Sequence, residues 1–98
     1  MNLIFEWDVK KAKLNIHKHN VSFEEAKTVF FNPLAKIFDD EIHSINERRE
    51  IIIGHSYKGR LLLVVFTEKK KNLIRIISSR ISTKKERKNY EENIGKKK

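Results

Sequence analysis

The segment from residue 47 to residue 81 constrains the fold most, because three strand-like runs follow one another there with almost no spacing. The runs are "ERREIIIGHS" (47–56), "GRLLLVVFTE" (59–68) and "NLIRIISSRI" (72–81). The connections "YKG" and "KKK" are short enough for hairpins, so the segment predicts a three-stranded antiparallel meander. Residues 61–66 are apolar on both faces of their strand, which predicts that this strand is central in the sheet.

The N-terminal region predicts a short strand followed by a helix. The run "LIFEWD" (3–8) is strand-like, and the Asp8 carboxylate can accept hydrogen bonds from the first turn of a helix that ends near residue 19. The predicted buried face of that helix carries Val9, Ala12 and Ile16. Its predicted polar face carries Lys11, Asn15 and Lys18.

A second helix is marked by the capping box of Ser22 and Glu25, whose side chains can bond each other's backbone N–H groups. Its predicted buried stripe consists of Phe23, Ala26 and Phe30. The dipeptide Asn32-Pro33 is expected to end it, and "LAKIF" (34–38) is expected to form a short edge strand.

A second capping box, Thr83 with Glu86, predicts the start of a final helix. The order of elements predicts a single α+β domain over residues 1–94, with residues 95–98 as a disordered basic tail. We expect an antiparallel sheet made of the N-terminal strand and the C-terminal meander. Two N-terminal helices and one C-terminal helix are expected to pack on one of its faces.

The charge of the chain indicates a polyanionic partner. Its 98 residues include 22 Lys and Arg against 13 Asp and Glu, a net charge of +9 with a pI near 9.9. Nucleic acid, an acidic membrane surface and an acidic protein all remain possible on charge alone. The absence of cysteine excludes a disulfide scaffold and a thiolate nucleophile. With no long apolar run and no signal-peptide pattern, we expect a soluble cytoplasmic protein without membrane association.

The side chains available suit RNA cleavage without a metal ion. That reaction needs a base for the ribose 2′-OH, an acid for the leaving 5′-oxygen and cations for the charged phosphorane. Arginine suits the cationic role because its planar fork binds two phosphate oxygens and stays charged. The chain supplies several arginines, four histidines, Glu47 and Glu86. This supply permits the chemistry but does not prove it.

Several of these residues also have purely structural explanations. Glu86 can serve only as a cap, Arg87 can be solvated, and Tyr90 can pack against the sheet. The histidines at 43 and 55 lie in or beside loops and are expected to be solvated. In "HKH" (17–19) no third ligand follows at a recognised spacing, so we expect neither a metal site nor a cofactor.

The positions of Arg75 and Arg80 set a condition on any common site. Side chains alternate along a strand, so an unbulged strand would send these two arginines to opposite faces of the sheet. Only a bulge or a strand exit near residues 78–79 would bring them together.

The order of motifs resembles the BrnT family of bacterial type II toxins. The matching pieces are "FEWD", "KHNVSFEEA", "VFFNP", "ERREIIIG", "GRLLLVVFTE", "IRIISSR" and "ERKNYE", which span about residues 5–92. The resemblance implies a RelE-like ribonuclease that inhibits translation and arrests growth. It also implies neutralisation by a BrnA-like ribbon-helix-helix antitoxin, through which the complex binds operator DNA.

The resemblance carries over a set of candidate site residues. The candidates for catalysis are His19, Glu47, Arg49, Arg75 and Arg80. The candidates for RNA binding are Lys18, Arg60, Glu86, Arg87 and Tyr90. In the preferred hypothesis Arg49, Arg75 and Arg80 hold the phosphate, and Glu47 or His19 is the base. The alternatives are a non-catalytic basic module that binds RNA or protein, and a degenerate toxin without turnover.

Overall fold

A five-stranded mixed sheet with helices on both faces forms the molecule, which a computed structural model describes for residues 2–95. The strands are β1 (Ile4–Glu6), β2 (Lys36–Asp39), β3 (Glu50–His55), β4 (Leu61–Lys70) and β5 (Leu73–Ile81). The α-helices are α1 (Val9–His19), α2 (Phe23–Ala26) and α3 (Lys84–Gly95). Two 3-10 turns, Lys27–Phe31 and Glu41–His43, follow α2 and β2. Residues 96–98 of the predicted tail lie outside the described residues, and residue 95 ends α3.

The strand order is β1-β5-β4-β3-β2. The predicted antiparallel meander is confirmed: β4 lies between β3 and β5 and runs opposite to both. The edge strand predicted around residues 34–38 is also confirmed, as β2. The prediction of a wholly antiparallel sheet is wrong, because β1 runs parallel to β5. The α+β class and the number of helices hold.

The two faces of the sheet have separate apolar cores. One core joins α1, α2 and the following turn to the sheet, and its buried members include Phe23, Val29, Leu62, Val64 and Ile76. The other is small and consists of Ile53, Leu61, Leu63 and Tyr90. Tyr90 belongs to α3, so this helix packs on the face opposite to α1 and α2. The prediction that all helices share one face is therefore wrong.

The first helix is capped as predicted but buries a different face. Asp8 accepts a hydrogen bond from the Lys11 N–H at 3.0 Å. Val9 and Ile16, predicted to be buried, are 64% and 47% exposed, whereas Asn15 is only 6% exposed. The Asn15 amide oxygen accepts from the Ser79 N–H at 3.1 Å, and its NH2 group donates to the Ser79 carbonyl at 2.9 Å. Ser79 lies on the part of β5 that β1 does not pair with. Of the three residues predicted to be buried, only Ala12 packs against the core, and the helix contacts the edge of β5 mainly through the polar side chain of Asn15.

The other two caps differ in completeness. Ser22 accepts from the Glu25 N–H at 3.0 Å, but the Glu25 carboxylate bonds elsewhere, so this predicted box is only half formed. At α3 the box is complete: the Glu86 N–H donates to Thr83 Oγ1 at 3.1 Å, and the Thr83 N–H donates to Glu86 Oε1 at 2.9 Å. Within residues 2–95, no helix has the length and apolar character that crossing a membrane requires.

Candidate functional site

A β-bulge at Ile77 brings Arg75 and Arg80 to the same face of the sheet. Val65 of β4 lies opposite Ser78, whereas the next residue, Phe66, lies opposite Ile76, which leaves Ile77 as the extra residue of β5. Arg80 is therefore opposite Leu63, and Arg75 is opposite Thr67. Leu63 and Thr67 are four residues apart on β4 and share a face. The bulge meets the condition that the sequence set for these arginines.

On that face α3 covers only part of the sheet, and a concavity of about 310 Å³ occupies the rest. Its apolar floor consists of Ile51, Leu63, Val65 and Ile77. Its polar walls include His19, Asp40, His43, Arg49, Ser78 and Arg80. The structure thus gathers side chains from the end of α1, the loop before β3 and the last part of β5.

The Arg80 guanidinium is held by a carboxylate from α3. Its Nη1 and Nη2 donate to the two carboxylate oxygens of Glu86 at 2.9 and 2.8 Å. This hydrogen bonding, with a smaller contribution from the Thr83 N–H, lowers the pKa of Glu86 to about 2. Glu86 is therefore ionised near neutral pH and positions Arg80 rather than transferring protons. A guanidinium has five N–H groups, so the carboxylate leaves donors of Arg80 for another partner.

Arg49 lies across the floor from Arg80, at the start of β3. Its Nε is 3.5 Å from Glu47 Oε2, and this buried nitrogen makes no hydrogen bond within residues 2–95. Glu47 also lies 3.9 Å from Lys69 Nζ. Glu47 does not line the main concavity but lines the adjoining recess that also contains His43 and Arg49. Arg49 therefore keeps hydrogen-bonding capacity close to the concavity.

Asp40 and His43 form a pair in the same wall, which the sequence analysis did not assign to the site. Both Asp40 carboxylate oxygens lie 3.1 Å from His43 Nδ1. The loop is held in place because Ser44 Oγ donates to the Asp40 carbonyl at 2.7 Å and accepts from the Arg49 N–H at 2.9 Å. His43 is exposed, as predicted, but its contact with Asp40 was not predicted. The spacing Asp-x-x-His was the available signal, since such residues approach each other in a helical turn.

His19 and Lys18 extend the site towards α1. His19 contributes to the main concavity and to a neighbouring recess of about 280 Å³, which Lys18 also lines. Both are therefore near Ser78, at the bulge of β5.

Besides Lys18, Glu47 and Glu86, four more predicted site residues do not line the concavity, and each contacts another group. Arg60 donates to the buried Glu25 carboxylate and to the Asn20 carbonyl. Arg75 donates to Glu6 of β1 at 2.9 Å. Arg87 lies 3.6 Å from Glu91 on the surface of α3. Tyr90 is 4% exposed, its hydroxyl donates to the Leu34 carbonyl at 2.9 Å, and burial raises its pKa. For Arg60 and Tyr90 these contacts are those of structural residues.

No cluster of three metal-ligating side chains occurs in the part of the chain that the structure describes. The two neighbouring histidines of "HKH" differ in placement: His17 is exposed, and His19 is half-buried at the concavity.

Comparison with known proteins gives a consistent result. A sequence model of the family described as "Ribonuclease toxin, BrnT, of type II toxin-antitoxin system" matches residues 7–86, a range that contains every lining residue of the concavity. No curated protein matches the chain. Among solved structures, the crystal structure of the Brucella abortus ribonuclease toxin BrnT is similar, with a TM-score of 0.62 and 24% identity. That match covers 86% of this chain and 99% of the other, and it shows a shared fold.

Proposed function

Because the chain belongs to the BrnT family of ribonuclease toxins of type II toxin-antitoxin systems, we propose that the concavity between Arg49 and Arg80 is its site of RNA cleavage. The proposed reaction is endonucleolytic and needs no metal ion. One observation carries the proposal: two arginines and His19 line a single open concavity, although they come from three separate elements. Convergent cations with hydrogen-bonding capacity fit a phosphodiester.

The two arginines have complementary roles in this proposal. Arg80 is fixed by two hydrogen bonds to Glu86, so its remaining donors are preorganised for non-bridging phosphate oxygens. Arg49 lines the concavity with a side chain that is 31% exposed, so part of its guanidinium can be reached by a phosphate. Together they would stabilise the additional negative charge of the phosphorane, which is where preorganised donors lower the barrier most.

Of the two proposed bases, His19 is better placed than Glu47 for proton transfer. His19 lines the concavity itself, whereas the Glu47 carboxylate is near the cations of Arg49 and Lys69 in the adjoining recess. We therefore assign proton transfer to His19, and Glu47 positions Arg49.

Arg75 and Lys18 are proposed to bind the RNA backbone away from the scissile bond. Arg75 is displaced from Arg80 by four paired positions on β4, which is about 13 Å along the strand. Arg75 instead donates to Glu6 of β1 and does not line the concavity. We therefore assign it to a phosphate further along the RNA. Arg60 and Tyr90 take no part in the proposed site, because Arg60 pairs with the buried Glu25 and Tyr90 is itself buried. Arg87 is left out because it lies on the surface of α3 beside Glu91.

Family membership also supports proposals about partners. A type II toxin has an antitoxin, and we propose that here it is a BrnA-like ribbon-helix-helix protein that binds operator DNA for the complex. We also propose that the fold is related to that of RelE-like toxins. The protein would cleave RNA in the cytoplasm and thereby inhibit translation. The net charge of +9 also suits the second candidate, a basic module that binds RNA without cleaving it.

The test is cleavage of a defined RNA in the presence of EDTA, with products analysed for 2′,3′-cyclic phosphate ends. Arg49→Ala and Arg80→Ala are each expected to lower kcat/KM by about 100-fold or more. Arg48→Ala is the matched control, because Arg48 is next to Arg49 but pairs with Asp39 outside the concavity. Loss of a transition-state donor is expected to lower activity roughly 100-fold. If both site variants instead stay within about threefold of wild type, a limit far from that loss, the site as proposed is wrong. Salt-sensitive binding without product would favour the non-catalytic module.

A further inference from the structure

The Asp40–His43 pair lines the concavity on the side opposite His19. His43 adjoins Arg49 and the loop before β3, whereas His19 adjoins Ile77 and Ser78 of β5. β4 separates the two sides, so the backbones of β3 and β5 are roughly 10 Å apart. A phosphodiester can lie between histidines placed in this way. We propose that His43, rather than His19, is the general base of the reaction, that Asp40 positions it, and that His19 transfers its proton as the general acid. This inference rests on the proposed function.

The contact with Asp40 determines which ring nitrogen of His43 is available. A carboxylate only accepts hydrogen bonds, so its 3.1 Å contacts with Nδ1 place the proton of the neutral ring on that nitrogen. Nε2 then carries the free lone pair, as a base requires. The carboxylate also stabilises the imidazolium that forms when Nε2 takes a proton.

Asp40 is buried and His43 is exposed, as expected for a positioning carboxylate and a general base. The side chain of Asp40 is 10% exposed, whereas that of His43 is 64% exposed. The Asp40 N–H donates to the Arg49 carbonyl at 2.9 Å, which ties the pair to the strand that carries the phosphate-binding arginine. The orienting group is therefore fixed, and the reacting group can be reached by RNA.

In the proposed step each of the two histidines transfers one proton. His43 Nε2 takes the proton of the 2′-OH while O2′ forms a bond to phosphorus. The bond from phosphorus to O5′ breaks, and protonated His19 donates its proton to that oxygen. The products are a 2′,3′-cyclic phosphate and a 5′-hydroxyl end. Exchange of protons with water returns His43 to the neutral form and His19 to the protonated form.

This assignment predicts a bell-shaped pH dependence, because one histidine must be neutral and the other protonated. The charged groups that face His43 are Asp40, Glu47 and Arg49, with His19 and Arg80 across the floor. Asp40→Asn removes the carboxylate beside the imidazolium, so it should lower kcat more than it raises KM, which a merely structural role would not produce.

The main test compares His43→Ala and His43→Gln with His17→Ala, which changes an exposed histidine of α1 outside the concavity. Glutamine can still donate to Asp40 but cannot take up the proton. Both His43 variants are expected to lose about 100-fold or more in kcat/KM, and His17→Ala is expected to match wild type. Added imidazole should restore part of the activity of His43→Ala and none of that of Arg80→Ala.

The outcomes separate this inference from the proposed function. Loss of a general base should lower activity roughly 100-fold. If His43→Gln and His43→Ala instead cleave within about threefold of wild type while Arg80→Ala does not, His43 is not the base, and the proposed site still stands. If wild-type protein produces no fragments in EDTA, both proposals fail. An unchanged kcat for Asp40→Asn would overturn the positioning role of Asp40.

Discussion

Arg80 donates two hydrogen bonds to the carboxylate of Glu86, at 2.9 and 2.8 Å, and thereby joins the end of β5 to the first turn of α3. The same carboxylate accepts the Thr83 N–H that opens the helix. One side chain thus caps a helix and orients an arginine of the candidate site. The opening of α3 and the geometry of the concavity are therefore coupled.

The first prediction concerns the pH dependence of stability. The pKa of Glu86 is about 2 in the folded protein, below its usual value of 4.5. A lowered folded pKa favours the folded state while the group is ionised, so this contribution is complete above about pH 4.5 and is lost as the pH falls through about 2. Glu86→Gln should therefore destabilise the protein at pH 7 and progressively less towards pH 2.

Urea unfolding of wild type and Glu86→Gln at several pH values between 7 and 2.5 measures this difference. Glu91→Gln is the control, because that exposed carboxylate only approaches Arg87 at 3.6 Å. A difference in unfolding free energy that stays constant over the whole pH range would contradict the prediction.

The second prediction concerns Arg60, which pairs with a buried carboxylate. Arg60 Nε donates to Glu25 Oε2 at 2.9 Å, and Ser56 Oγ donates to the same oxygen at 2.7 Å. The hydrogen bond from Arg60 is the largest of the effects that lower the pKa of Glu25. Arg60→Ala would leave this carboxylate buried without its cation and should cost about 3 kcal/mol of stability.

Folded Arg60→Ala protein should still cleave RNA at the wild-type rate, since Arg60 does not line the concavity. Lys58→Ala removes an exposed cation from the adjacent turn and serves as the control, with a stability change near zero. Lost cleavage in a variant that unfolds like wild type would instead return Arg60 to the RNA-binding surface.

The third prediction separates packing from RNA binding at Tyr90. The Tyr90 hydroxyl donates to the Leu34 carbonyl at 2.9 Å, and its ring packs edge-on against His55 at 5.8 Å. Tyr90→Phe should cost about 1 kcal/mol, the net value of one hydrogen bond, and Tyr90→Ala should cost about 3 kcal/mol or more. Thermal unfolding measures both costs. A purely structural Tyr90 predicts that folded Tyr90→Phe protein cleaves RNA at nearly the wild-type rate. A rate below about a tenth of wild type, which corresponds to about 1.4 kcal/mol in the barrier, would contradict that role.

Local features of this fold were predictable because neighbouring residues determine them. The caps at Asp8 and Thr83 depend on side chains within three residues of the helix start, and the hairpins depend on short connections. The direction of β1 was not predictable in this way. No short connection joins β1 to β5, so the sequence between them leaves both directions open.

In the candidate site, too, the residue types could be predicted from the sequence, whereas the contacts between distant residues could not. Arginines at residues 49, 75 and 80 could be proposed from charge and motif order. That Arg75 and Arg80 share a face, however, depends on the bulge at Ile77, which only the pairing with β4 defines. The Asp40–His43 contact likewise depends on a loop that Ser44 ties to the Arg49 backbone. Period-two alternation cannot anticipate an extra residue, and composition cannot anticipate which loop histidine meets a buried carboxylate.

The fourth prediction is that replacing the polar Asn15 of α1 destabilises the protein more than replacing the apolar Ile16 of the same helix. Asn15 donates to the carbonyls of Val21 and Ser79, both at 2.9 Å, and accepts from the Ser79 N–H. Asn15→Ala would leave these backbone groups without partners at the edge of β5, at a cost of about 3 kcal/mol. Ile16→Ala should change stability by less than about 0.5 kcal/mol, because the side chain is largely exposed.

Asn15→Asp sharpens the comparison, because it keeps the acceptor for the Ser79 N–H and removes both donors. It should therefore be destabilising as well, and Asn15→Leu should show that added apolar surface does not compensate. Since Ser79 immediately precedes Arg80, the folded fraction of each Asn15 variant should also cleave RNA more slowly than Ile16→Ala. Urea unfolding midpoints give the ranking. Greater destabilisation by Ile16→Ala than by Asn15→Ala would mean that α1 packs through its apolar stripe after all.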